Sequence, residues 1–210
     1  MNNIQKIYNL IVLDESGSMQ LIKKQTLLGF EDLAKRSIET QKLYSNQKHY
    51  FSIVTFNERG IKFRLFNQPA EEMNLINSNS YQPYGETPLY DAICKSVLKL
   101  DQRLVYEKDF NVLVTIITDG VDNCSKEFDK FETRKLIETF SRKQNWAFGL
   151  IGANIDIGYT ARDLSIPKER TILFETTDES VKQMFERYFK VQDKLAYLAD
   201  EHSYWLDLAF

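Results

Sequence analysis

Residues 7–21 read IYNLIVLDESGSMQL. The first seven, Ile7–Leu13, are almost continuously apolar, the pattern of a strand covered on both faces of a parallel sheet. The run then breaks into Asp14, Ser16 and Ser18 at alternate positions, D-x-S-x-S. A chain leaving a strand with this spacing can turn three oxygen-bearing side chains toward one point.

The rest of the chain continues the alternation. Gln20–Leu43 reads as a long helix with Leu27, Phe30, Leu33, Ala34 and Ile38 at helical spacing. Lys48–Phe56 and Ile61–Phe66 read as strands joined by Asn57-Glu58-Arg59-Gly60, a tight hairpin turn. Asn67–Glu86 is a polar connection holding Pro69, Pro83 and Gly85, with one short helical turn near Glu71–Ile76. Thr87 is the expected N-cap and Pro88 the first residue of a helix over Leu89–Tyr106. Asn111–Ile117 is a second buried strand and ends in Thr118-Asp119-Gly120. Phe131–Lys143 and Asp156–Leu164 follow as helices around the strand Trp146–Ile151. Arg170–Phe174 is a short last strand and Glu179–Leu198 the closing helix.

The order β-α-β-β-α-β-α-β-α-β-α predicts an α/β fold. It is a doubly wound, mostly parallel six-stranded sheet of Rossmann-like form, with one antiparallel edge strand and helices on both faces. The 210 residues, 43% hydrophobic, suffice for one core. The expectation is a single domain over 1–210, with its core over about 7–198 and an apolar tail over 199–210. In such sheets, sites form at the carboxyl ends of strands where strand order reverses. Asp14 and Asp119 both stand at strand ends and meet if their strands are neighbours.

Asp14, Ser16, Ser18, Thr87 and Asp119 are all hard oxygen donors, without histidine or thiolate. That set suits Mg²⁺, with Mn²⁺ or Ca²⁺ as alternatives, and not zinc or copper. Blander readings exist for each: the serines as caps of the first helix, Thr87 as an N-cap only, Asp119 as a turn former. Glu15 falls on the other side of the alternation and is expected at the rim. Asp91, one turn after Thr87, reads equally as a support for the site or as a solvated helix acid. Asp122 and Asn123 read as supports or as surface near the metal.

The segments LDESGSM (13–19), GETPLYDAI (85–93) and TDGVDN (118–123) occur in this order at the ends of the right elements. Together they resemble the von Willebrand factor A domain and its metal-ion-dependent adhesion site. The resemblance runs from Ile7 to about Leu198. It implies that Ser16 and Ser18 bind the metal directly, and that Asp14 binds through water or orients the serines. Thr87 would bind directly or through water, and Asp119 usually through water. The position left open would take an Asp or Glu from a protein partner. The resemblance further implies a non-enzymatic, stand-alone bacterial-type module in the cytoplasm, and coupling between Thr87 and the last helix. Glu86 departs from the family, which often has a small residue before the threonine.

Other classes fare less well. A net charge of −3 gives no basic face for nucleic acid. No apolar stretch approaches membrane-spanning length. Cys94 and Cys124 read as reduced thiols, without disulfide or zinc spacing. A Mg²⁺-dependent phosphoryl-transfer or hydrolase enzyme is the rival function. However, the second acid that haloacid-dehalogenase-type phosphatases need falls on Ser16, and neither G-x-x-x-x-G-K-[ST] nor G-x-S-x-G occurs. A metal-free structural copy is the third reading. Tyr81 and Tyr84 are candidate interface anchors or loop packing. The tail LADEHSYWLDLAF, with Trp205, Leu206, Leu208 and Phe210, either packs back or docks on a partner.

Overall fold

The computed structural model describes residues 4–72, 76–153 and 156–200, with Leu208 and Phe210. Its strands are β1 (Gln5–Asp14), β2 (Gln47–Asn57), β3 (Gly60–Pro69), β4 (Phe110–Thr118), β5 (Trp146–Ala153) and β6 (Thr171–Phe174). Its α-helices are α1 (Lys23–Leu43), α2 (Leu89–Leu104), α3 (Lys130–Ser141), α4 (Asp156–Asp163) and α5 (Asp178–Asp200). They form one six-stranded sheet in the order β3-β2-β1-β4-β5-β6. All pairings are parallel except β2–β3, which places the antiparallel strand at one edge as the hairpin pattern predicts. Asn57 faces Gly60 across the turn, and Gly60 takes φ +126°, a conformation that favours glycine.

β1 sits centrally because its side chains are apolar on both faces. Ile7, Ile11 and Leu13 pack under α1 and α5, while Tyr8, Leu10 and Val12 pack under α2, α3 and α4. From β1 the chain winds first to β2 and later returns on the opposite side as β4. The strand order therefore reverses between β1 and β4, and Asp14 and Asp119 emerge side by side at that point.

The departures from expectation are local. The first helix starts at Lys23, because Gly17–Ile22 forms a 3-10 turn after the Asp14–Ser16 contact. β3 runs on to Pro69 across register shifts, and Asn67 adopts φ 53°. Only Ala70–Glu72 of the helical turn placed near Glu71–Ile76 is seen as 3-10 helix; positions 73–75 lie outside the described residues. Leu208 is buried in the core under α5, and the Phe210 ring packs against Gly149 of β5. The tail thus packs back at these two positions; Trp205 and Leu206 lie outside the described residues. Both cysteines are free thiols, Cys94 buried. Among the described residues, no helix is long and apolar enough to cross a membrane.

α1 and α5 meet at Gly29, where an added Cβ would stand 2.3 Å from the Phe185 ring. A mid-helix glycine costs helix propensity, so close approach is the reason for it here. Gly29→Ala is expected to destabilise by about 1–3 kcal/mol in urea unfolding as the helices separate, and Phe185→Leu in the same chain to recover part of the loss.

His49, on β2, is buried between the sheet and the α1–α5 pair, with Arg36 and Asp193 bordering the same crevice. Its Nε2 lies 3.1 Å from Gln47 Oε1. Burial pulls its pKa down to about 4. The unfolded chain therefore binds this proton more readily, and the stability from a neutral His49 is full above about pH 6.5 and lost as pH falls toward 4. Unfolding free energy is expected to drop by up to about 3 kcal/mol over that window, with a shallower acid slope in His49→Gln.

Candidate metal centre

β1 delivers Asp14 and then turns. The Ser16 amide donates to Asp14 Oδ1 at 2.7 Å, a short side-chain-to-backbone turn that swings the following serines across the strand end. Asp14 Oδ2 accepts from Thr118 Oγ1 at 2.6 Å, so one carboxylate ties the ends of β1 and β4 together. Beyond it, Ser16 Oγ and Ser18 Oγ lie 3.2 Å apart, and Ser18 Oγ donates to Asp119 Oδ1 at 2.7 Å. Four of the five expected site residues are thus linked in one chain of contacts. Thr87 approaches from the α2 loop: its Oγ1 is 3.6 Å from where a Cβ on Gly120 would stand.

The expected N-cap role of Thr87 is corrected. The helix begins at Leu89 after Pro88, with no side-chain cap from its own segment. Its first-turn amides are met from across the site. Asp122 Oδ1 accepts from the Tyr90 amide at 3.1 Å and Ser125 Oγ from the Asp91 amide at 3.1 Å, while Asn123 Oδ1 accepts from the Thr87 amide at 2.8 Å. The loop after β4 caps α2, and the Thr87 hydroxyl is spared that task. Thr87 is buried as a residue, but its hydroxyl oxygen stays open to solvent and makes no hydrogen bond among the described residues.

Asp91 is buried, not solvated. Its carboxylate accepts from the amides of Lys126, Glu127 and Phe128 at 2.8–3.0 Å, which folds the 120–129 loop back onto α2. Glu15 is also buried, against the expected rim position. Its carboxylate meets Arg64 Nη2 at 3.0 and 3.2 Å and the Gln82 amide at 2.6 Å. The strand alternation does point Glu15 away from the metal centre, but into a pocket closed by β3 and the 81–86 loop. Tyr81 is wholly buried and donates to the Asp14 carbonyl at 2.6 Å, whereas Tyr84 is 45% exposed and stacks on the Arg59 guanidinium at 3.6 Å. Thr118 and Arg64 were not singled out from sequence. Thr118 directly precedes Asp119, and that adjacency was the available signal; Arg64 pairs only through the hairpin register.

Burial pushes the Asp14 carboxyl up to about 6, the Asp119 charge adding to it and the Thr118 and Ser16 bonds opposing. Burial likewise raises Asp119, against the Ser18 bond. Two desolvated carboxylates facing one another carry negative charge that the protein only partly offsets, and a cation is what would offset the rest. Burial also pushes the Cys124 thiol up to about 11, with Glu86, Asp122 and Glu58 adding to the effect, so the rim of the site is acidic. Among the described residues no three His, Cys, Asp or Glu side chains cluster as a metal centre. The donors gathered here are two carboxylates and three hydroxyls, a set of oxygen only.

No protein-family model matches the sequence, and no curated protein matches it. Solved structures do. Proximal thread matrix protein 1 from the mussel byssus superposes over 90% of this chain with TM-score 0.59 and 15% identity. This chain spans 46% of that protein, less than half its length. The SpRpn10 VWA domain matches over 86% of this chain and 94% of its own, with TM-score 0.57 and 11% identity. The manganese-loaded TRAP protein of Plasmodium vivax matches over 90% of this chain and 74% of its own, with TM-score 0.55 and 16% identity. The fold is that of von Willebrand factor A domains.

Asp91→Ala removes the acceptor for three amides at once. It is expected to cost roughly 2–3 kcal/mol in chemical denaturation and to speed amide exchange at residues 126–128, with Asp91→Asn falling between.

Proposed function

We propose that the protein is a non-enzymatic, metal-dependent protein-interaction module. Its ligands for a Mg²⁺-type ion are Ser16, Ser18 and Thr87 through hydroxyls, with Asp14 and Asp119 completing the set. The observation that carries the reading is the Ser16–Ser18–Asp119 chain of hydroxyl and carboxylate oxygens at the ends of β1 and β4, with the Thr87 hydroxyl, open to solvent and without a hydrogen bond among the described residues, brought to the same rim. Burial raises the pKa of both Asp14 and Asp119, which leaves negative charge at the strand ends for a cation to offset. An oxygen-only donor set suits Mg²⁺, Mn²⁺ or Ca²⁺. The likeness to a manganese-loaded protein of the same fold supports the choice of ion class.

Each residue has a part in that reading. Asp14 has both oxygens engaged by Ser16 and Thr118, so it orients the serine turn and supplies charge from behind. Ser16 and Ser18 present neutral oxygens, which leave the bound ion most of its charge. Such an ion attracts a carboxylate, and the partner supplies Asp or Glu to it. Asp122, Asn123 and Ser125 hold Thr87 and α2 in register. The second acid that a haloacid-dehalogenase-type phosphatase needs two positions after Asp14 is replaced by Ser16 here, and His49 is buried on the α1–α5 side, away from this rim. A cytoplasmic setting belongs to the same proposal.

Calorimetric titration of chelator-stripped protein with Mg²⁺ and Mn²⁺ tests it. Saturable one-site binding is expected for the wild type, weakened at least ~10-fold in Ser16→Ala, which is about 1.4 kcal/mol. Wild-type protein that binds neither ion, or a Ser16→Ala variant that binds as well, overturns the reading.

A further inference from the structure

β6 closes the sheet at the edge opposite β3, and among the described residues nothing pairs with its outer side. A cavity of about 650 Å³ opens beside it. Ala161 of α4, Ile166, Leu173 of β6 and Phe210 give it an apolar lining. Arg162 of α4, Lys168 before β6 and Arg187 of α5 reach it from three separate elements. Among the described residues no Asp or Glu lines it. None of the three cations has an ion pair among the described residues; Arg162 only lies over the Tyr159 ring, 5.1 Å from its centre. In a chain of net charge −3, a pocket whose charged edge residues among the described ones are all positive is a local departure from the average.

We propose that this groove binds an extended peptide segment of a partner protein, acidic and apolar by turns, laid along β6 as an added strand. An edge strand presents N–H and C=O groups on its open side, which an incoming strand satisfies by main-chain hydrogen bonds. Leu173 is 54% exposed on that strand and offers the apolar contact, above the buried Ala161 and Ile166 at the floor of the groove. Arg162, Lys168 and Arg187 then receive the carboxylates of alternate residues. Charges that merely blunt an edge against aggregation sit on the strand itself. Here the strand carries Leu173, and the cations converge on the groove from α4, α5 and the preceding turn. The volume also suits a small anionic molecule, but such a ligand leaves the strand edge unpaired, and the peptide does not.

The site lies two strands from β4 and uses none of the metal-site residues, so it is tested without metal. A random peptide display library is panned in EDTA against the whole protein, with the Arg162→Glu/Arg187→Glu variant as counter-selection. Enriched peptides are expected to alternate apolar and acidic residues. Their affinity should fall at least ~10-fold for that variant and for Leu173→Asp, and stay unchanged for Ser16→Ala. Amide exchange at residues 171–174 should slow on binding; all three substituted side chains are exposed, and circular dichroism confirms that the variants fold. Enrichment of peptides without acidic residues, or binding that survives the charge reversal or is lost in Ser16→Ala, overturns the proposal. So does an empty selection, and so does competition by octanoate without any strand protection, which would make the groove a small-molecule site.

Discussion

One buried carboxylate holds the upper rim of the sheet together. Asp14 is fully buried, and each of its oxygens is taken by a donor from a different element: the Ser16 amide on its own turn and the Thr118 hydroxyl at the end of β4. Tyr81 adds a third tie, to the carbonyl of the same residue, from the loop before α2. Three loops distant in sequence are therefore pinned to a single residue. The cost of burying that charge shows in its raised pKa, and two hydrogen bonds offset only part of it. A structural tie could have been made by a neutral Asn. Retaining a charge here makes sense if a cation takes up the remainder, and this connects the fold's central fastening to the proposed function.

The loops around the site follow a second rule: each satisfies the polar groups of another. α2 lacks a cap from its own chain segment, and Asp122 and Ser125 from beyond β4 supply it. In return, Asp91 on α2 accepts three amides from that loop. Neither the helix start nor the loop is complete alone, so Thr87 and Asp119 are held in fixed relation by reciprocal bonds. Glu15 does the same on the other side, fixing the 81–86 loop to β3 through Gln82 and Arg64. An ion site with a hydroxyl on one loop and a carboxylate on the next needs this rigidity, because loss of an ångström between them would break coordination.

Much of this was legible in the sequence, and the reasons for what was not are physical. Apolar periodicity reveals the element order and the Asn57–Gly60 turn the antiparallel hairpin, because both are local signals; the meeting of Asp14 with Asp119 is legible only on condition that β1 and β4 are neighbours, which the strand order supplies. The failures concern residues whose role is set by a partner far along the chain. Thr87 followed by proline reads as an N-cap, and only the tertiary arrangement reveals that Asp122 and Ser125 have taken over that work. Glu15 reads as a rim acid until the β2–β3 register brings Arg64 to it. Asp91 reads equally as a support or as a solvated helix acid, because nothing nearby in sequence reports the three amides that fold down on it. Leu208 and Phe210 are apolar at a terminus, which fits docking as well as packing; Leu208 is buried in the core and Phe210 packs half-buried against it, which decides it for those two residues.

The acidic rim bears on how the proposed interaction would work. Glu58 lies over Gly85, which hydrogen-bonds to Gly17 between the two serines, and Glu86 directly precedes Thr87. With Asp14 and Asp119 beneath them, these groups repel any carboxylate that approaches the bare protein. The same charges favour a divalent ion, and once it is bound they are largely neutralised at short range. In the proposed metal site, Glu86 would act in both directions: it would strengthen cation binding and weaken metal-independent binding of an acidic partner. Specificity for the loaded state then follows from repulsion in the unloaded one, which is how discrimination is most economically built. A groove at β6 edged by Arg162, Lys168 and Arg187 has the opposite sign and needs no ion. The two surfaces would select acidic partners by different physics, one gated by metal and the other always open.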